Sequence, residues 1–149
     1  MQKRSYPQPT DRLEGSKLSS LISFSTGQVP EAMVTDASGT CLYVANLRNS
    51  DGFSIDPDTG ALAPLEGSAF PAGDSAALDL AMDPSGQFAY AANHDAGKVT
   101  VLALDAAAGR LSLSSMAPSP GFPLAIRLIS APSGHLVVER SVLQSTIRD

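Results

Sequence analysis

Thirteen residues of this chain are written nearly twice. "VTDASGTCLYVAN" (Val34 to Asn46) lies over "AMDPSGQFAYAAN" (Ala81 to Asn93), matching Asp36 with Asp83, Ser38 with Ser85, Gly39 with Gly86, Tyr43 with Tyr90 and Asn46 with Asn93, each pair 47 positions apart. A fixed period of this length marks an array in which one repeat is one supersecondary unit, too small to bury its own apolar face and covered by its neighbours. A third copy, "SAPSGHLVVERS" (Ser130 to Ser141), follows 48 positions on and keeps Pro132, Ser133 and Gly134 but not the Tyr or Asn. Further along each unit "SIDPDTGALAPL" answers "ALDAAAGRLSLS", and "STGQVP", "PAGDSA" and "SPGFPL" close successive units. The divisions are an irregular segment over 1–14, the end of a unit over 15–29, whole units over 30–75 and 76–122, and a truncated unit over 123–149.

Short runs bounded by turn signals about every ten residues read as strands, four to a unit. In the better-preserved unit they are expected at Leu78 to Met82, Gln87 to Ala92, Lys98 to Asp105 and Arg110 to Met116. Asp83-Pro84-Ser85-Gly86 puts Asp, Pro and Gly where a type I turn favours them, and so joins the first two strands. "VTVLAL" (Val99 to Leu104) is apolar on both alternating faces, as expected of a strand covered on both sides. "SAALDLAM" (Ser75 to Met82) also reads as a short helix capped by Asp74 or Ser75, but the matching "PEAMVTD" and "AIRLISA" favour a strand. Asn46 to Asp56 spans ten positions where Asn93 to Asp105 spans twelve. An even loss preserves the alternation of faces, so a shorter third strand is expected in the first unit.

A four-stranded unit of about 40 to 50 residues stacked on copies of itself has the arithmetic of a β-propeller blade. The fold expected is all-β, an incomplete β-propeller of about three four-stranded antiparallel blades. "DPSGQFAYAAN" followed by "KVTVLALDAAAGRL", and "DASGTCLYVAN" followed by "FSIDPDTGALAPLEGSAFPAG", resemble the lactonase or 6-phosphogluconolactonase-like propeller family with YVTN-type repeats, over roughly 15–138. That resemblance implies seven blades, about 330 residues against the 149 here. Closure would then require self-association or further blades, and the chain reads as a fragment or truncated reading frame.

Composition bounds the partners. With 15 acidic and 10 basic residues the net charge is −5, and the cations are scattered, so no nucleic-acid-binding stripe forms. No run approaches the roughly 18 apolar residues of a membrane span. "MQKRSYPQPTDR" places prolines and polar residues where a signal peptide would be apolar, so a soluble chain is expected, cytoplasmic, or periplasmic if a leader has been lost. One cysteine, Cys41, and two histidines, His94 and His135, make a zinc site improbable, and no cofactor is expected. "DPDTG" (Asp56 to Gly60) falls well short of a twelve-residue calcium loop and reads as an inter-strand turn.

The resemblance implies a site at the mouth of a central channel, often including His, Glu and Arg, and a small sugar lactone as substrate. Five residues before each turn-opening residue stand Glu31, Leu78 and Ile126. Glu31 is the candidate general base, the alternative being a solvated loop carboxylate. His94 is a candidate proton shuttle or an exposed turn histidine. Arg127 suits a substrate carboxylate or phosphate, or a structural ion pair. Asp36 and Asp83 read as turn formers rather than an acid pair, Asn46 and Asn93 as strand-end turn residues of the same kind, and His135 and Arg48 are given no role. No phosphate-binding glycine loop, GxSxG elbow or HExxH helix is present. The alternative to a lactone hydrolase is a non-catalytic propeller segment serving as a protein-interaction scaffold, favoured by apolar Leu78 and Ile126.

Overall fold

The computed structural model describes residues 23–73, 77–119, 121–130 and 136–139, with 127–130 and 136–139 described by their backbone. Every regular element among them is a strand. In chain order they are β1 (Ala32–Thr35), β2 (Cys41–Ala45), β3 (Asn49–Ile55), β4 (Leu62–Pro64), β5 (Phe70–Pro71), β6 (Ala77–Met82), β7 (Phe88–Asn93), β8 (Lys98–Asp105), β9 (Arg110–Pro118), β10 (Arg127–Ser130) and β11 (Leu136–Glu139). They form three antiparallel groups, a first sheet β1-β2-β3-β4 with β5 also paired to β3, a second sheet β6-β7-β8-β9, and a hairpin β10-β11. β8 has the bounds expected from sequence, β6 and β9 differ by one or two residues at one end, and β7 is shifted by one residue at both ends.

Two findings differ from the sequence reading. The first sheet has a fifth strand, because Phe70 pairs with Ser50 and buries its ring. Gly52 makes this possible, since a Cβ there would stand 2.7 Å from the Phe70 ring. The missing pair of residues is also taken mainly from a turn. Four residues, 46–49, lie between the paired Ala45 and Ser50, against six, 93–98, between the paired Ala92 and Val99. β3 still has seven residues to the eight of β8.

The hairpin turns follow from local chemistry. Gly39 N–H bonds to Asp36 O (3.1 Å) and Gly86 N–H to Asp83 O (2.8 Å), closing the two equivalent turns. Both glycines have positive φ, 73° and 71°, a region that costs an L side chain. The carboxylates of Asp36 and Asp83 accept from the hydroxyls of Ser38 and Ser85, and Asp36 Oδ1 also accepts from Cys41 N–H (2.8 Å).

Packing between the sheets has a direction. Tyr43 and Ala45, with partly buried Ala32, Val34 and Cys41, join Ala77, Leu80, Ala89, Ala91, Leu102 and Leu111 in one apolar cluster. Alternation along a strand places Tyr90 on the face opposite Ala89 and Ala91. The Tyr43 face of the first sheet therefore meets the second sheet, whose own Tyr90 face points away. Half of the ten core residues are alanine, which allows the sheets to approach closely. Across the interface the Tyr43 hydroxyl donates to Gly109 O (2.9 Å) in the β8–β9 turn. Tyr90 is only half-buried.

Tyr43→Phe should therefore lower unfolding free energy by about 1 to 3 kcal/mol, because Gly109 O is left buried without its donor. Tyr90→Phe should stay within about 0.5 kcal/mol. Urea denaturation of the two variants measures the difference.

Candidate functional site

The β2–β3 and β7–β8 loops and the connections that carry the chain between sheets lie at one end of the molecule. Leu47 N–H donates to Gln28 O (3.0 Å), Glu31 N–H to Ala45 O (2.9 Å) and Ser119 N–H to Gly97 O (2.8 Å), fastening each connection to the loop beside it. The β1–β2 and β6–β7 turns, with Asp36 and Asp83, lie at the opposite end. These two aspartates are thus separated from the candidate site by the length of a strand and act as turn residues.

Glu31 is exposed and directly precedes β1, His94 directly follows β7, and Arg127 opens β10. The terminal pairs Ala32↔Ala45, Ala77↔Asn93 and Arg127↔Glu139 place all three at the same end. β6 packs against both β1 and β10, so the first strands of the three groups are neighbours. His94 is drawn together with Asp95 and Phe122. Its Nδ1 lies 3.0 Å from Asp95 Oδ1, and its ring centroid 5.3 Å from that of Phe122. An ionised carboxylate can only accept, so this bond puts the proton on Nδ1 and leaves Nε2 for exchange. Arg48 lines a recess of about 160 Å³ with Gln28, Leu47 and Asn49. His135 lies outside the described residues.

Asn46 and Asn93 are not turn residues in the expected sense. Both are fully buried. Asn46 Nδ2 donates to Asn49 Oδ1 (2.9 Å) and Asp51 Oδ2 (3.0 Å), and Asp51 Oδ2 also accepts from Gly27 N–H (2.6 Å). In the second sheet Asn93 Nδ2 donates to Thr100 Oγ1. A glycine of the preceding connection closes over each amide, for a Cβ on Gly27 would stand 2.8 Å from Asn46 Nδ2 and one on Gly73 2.3 Å from Asn93 Nδ2. The amide nitrogens are bonded in this way and fasten the strand ends beside Arg48 and His94, whereas Asn46 Oδ1 and Asn93 Oδ1 are buried without a hydrogen-bond partner among the described residues.

Two acidic residues went unnoticed in the sequence. Asp51 stands where the second sheet has Thr100, a match visible only after allowing for the shorter turn. Asp79 stands on β6 where β1 has Ala32 and β10 has Arg127, a change of charge between equivalent positions. Its Oδ1 accepts from Leu80 N–H (2.9 Å) and its Oδ2 from Ile126 N–H (2.8 Å). Asp56 holds its own turn, accepting from Asp58 N–H, Thr59 N–H and the Thr59 hydroxyl. Among the described residues no three His, Cys, Asp or Glu side chains are grouped to hold a metal ion, and no helix is long and apolar enough to cross a membrane.

No family model matches the chain, and no curated protein sequence matches it. Solved structures do. A functionally unknown protein from Desulfotomaculum acetoxidans superposes with a TM-score of 0.67 at 18% identity, over 80% of this chain and 38% of that one. A candidate 6-phosphogluconolactonase from Bacteroides uniformis gives 0.65 at 20% identity, over 78% and 34%. The periplasmic gluconolactonase of Pseudomonas aeruginosa gives 0.56 at 23% identity, over 60% and 25%. At these identities the likeness is one of fold, and the chain spans between a quarter and two-fifths of the length of these three proteins.

Burial opposes ionisation of Asp36, but the Ser38 hydroxyl and the Cys41, Thr40 and Ser38 backbone outweigh it and hold the carboxyl below its ordinary 3.8. A depressed folded value stabilises above the unfolded value and is lost as pH falls through the folded one. Asp36→Asn should therefore unfold with a shallower pH dependence than the wild type below about pH 4, read from thermal midpoints across that range. Gly73→Ala, at φ 111° and against Asn93, should lower stability by more than about 1 kcal/mol.

Proposed function

We propose that the two sheets and the hairpin are successive blades of an incomplete lactonase-type β-propeller, about three blades long, whose completed ring hydrolyses a sugar lactone. The observation that carries this reading is the direction of stacking. The Tyr43 face of one sheet meets the back of the next, and the next presents its own Tyr90 face onward, so one contact can be repeated in one rotational sense. The likeness in fold to a gluconolactonase supports the same reading. Propellers close with about 4 to 8 blades, so the remaining blades come from self-association with a second copy or from additional chain.

In this reading Glu31, His94 and Arg127 stand at the channel mouth, brought there by neighbouring first strands. Glu31 takes a proton from water, and the water oxygen bonds to the lactone carbonyl carbon. The ring C–O bond then breaks, and the proton taken from water passes from Glu31 to His94 Nε2, while Asp95 holds the Nδ1–H, and from Nε2 to the leaving oxygen. Arg127 offers its planar fork to a phosphate or to the carboxylate that forms. Glu31 is exposed, which gives water free access to it.

The purified protein should hydrolyse glucono-1,5-lactone above the spontaneous rate, and Glu31→Gln should lower kcat about 10²- to 10⁴-fold. A spontaneous rate in the wild type, both as the single chain and in a closed ring, would remove the hydrolase reading. Light scattering should find a multiple of the single-chain mass if the ring closes by self-association, and a strictly monomeric chain would remove that route.

A further inference from the structure

The two junctions between successive groups of strands are built differently. Between the first and second sheets the contact is apolar, centred on Tyr43, Ala77, Leu80 and Leu102. Between the second sheet and the β10–β11 hairpin, a carboxylate crosses. Asp79 Oδ2 accepts from the N–H of Ile126, the residue immediately before β10, at 2.8 Å, and its other oxygen is held by Leu80 N–H at 2.9 Å. Ile126 itself is 5% exposed, so the N–H it offers has little water to turn to.

A β-bulge aims this carboxylate. β6 pairs Ala77 with Asn93 and then Asp79 with Ala92, leaving Leu78 as the extra residue, whereas β1 runs regularly from Ala32↔Ala45. Bulges bend a strand and redirect side chains, and they are frequent beside functional sites. Here the bulge falls at the end of the central first strand that lies nearest Arg127 in the fold. Ala32, the residue of β1 equivalent to Asp79, can make no such bond.

We propose that Asp79 is a positioning residue. By holding Ile126 it sets where β10 begins, and so where Arg127 stands at the channel mouth; this inference deepens the hydrolase reading and rests on it for the role of Arg127. A hydrogen bond from a backbone N–H to an ionised carboxylate is among the stronger ones.

Amide hydrogen exchange on the whole chain tests the latch directly. Asp79→Ala should speed exchange at Ile126 and across Arg127–Ser130 by about 10- to 100-fold while β7 and β8 keep wild-type protection. Asp79→Asn retains an oxygen acceptor and should fall between the two. Unchanged exchange at Ile126 in Asp79→Ala would overturn the proposal, as would equal loss of protection throughout β6–β9 in Asp79→Asn, since that would make Asp79 a residue of the sheet rather than of the junction. With glucono-1,5-lactone, Asp79→Ala should raise KM in step with Arg127→Ala and leave kcat within about threefold. A wild type that hydrolyses no lactone would sink the hydrolase reading alone, because exchange at Ile126 decides the latch without it.

Discussion

The apolar face that carries Tyr43 and Ala45 cannot remain in water, and the burial of that face against the second sheet organises the rest of the molecule. Each large side chain so buried contributes roughly 1.5 to 3 kcal/mol, and the alanines between them let the two backbones come close enough for a hydroxyl on one sheet to reach a carbonyl on the other. Because strand residues alternate between faces, this one contact also decides which face of the second sheet is left over. Direction, spacing and the gathering of loops at one end all follow from it.

Much of this was legible in the chain. The Asp-x-Ser-Gly turns located two hairpins, and Val99 to Leu104 announced a strand, of which the Thr100 and Leu102 face is buried and the Val99, Val101 and Ala103 face half-buried. What could not be read were features that depend on partners far away in sequence. β5 is two residues long inside "EGSAFPAG", and only the space left by Gly52 opposite Tyr43 explains why Phe70 turns inward. Asn46 and Asn93 look like loop residues because loops follow them. Their burial depends on Gly27 and Gly73, which approach from the preceding connection.

The candidate site shows the same division. The repeat singled out Glu31, Leu78 and Ile126 as equivalent, and the strand pairings put Glu31, His94 and Arg127 at the same ends of their strands. The individual contacts were not legible, since His94 leans on Phe122, a residue in the connection to the following unit. Asp51 and Asp79 were missed because each departs from the repeat, Thr100 being the counterpart of one, and Ala32 and Arg127 those of the other. Departures from an internal period carry the individuality of a repeat protein, whereas agreement with it reports packing.

The shorter link between β2 and β3 shows that this turn accepts a change of two residues without altering which side chains of the following strand point inward. The same parity makes it a natural graft point. A peptide spliced there with an even number of residues leaves the downstream strand in phase, while an odd number presses Asp51 and Phe53 toward the wrong side of the sheet. Length variation at this corner is therefore quantised, and the molecule offers one edge on which recognition sequences can be exchanged without rebuilding its interior.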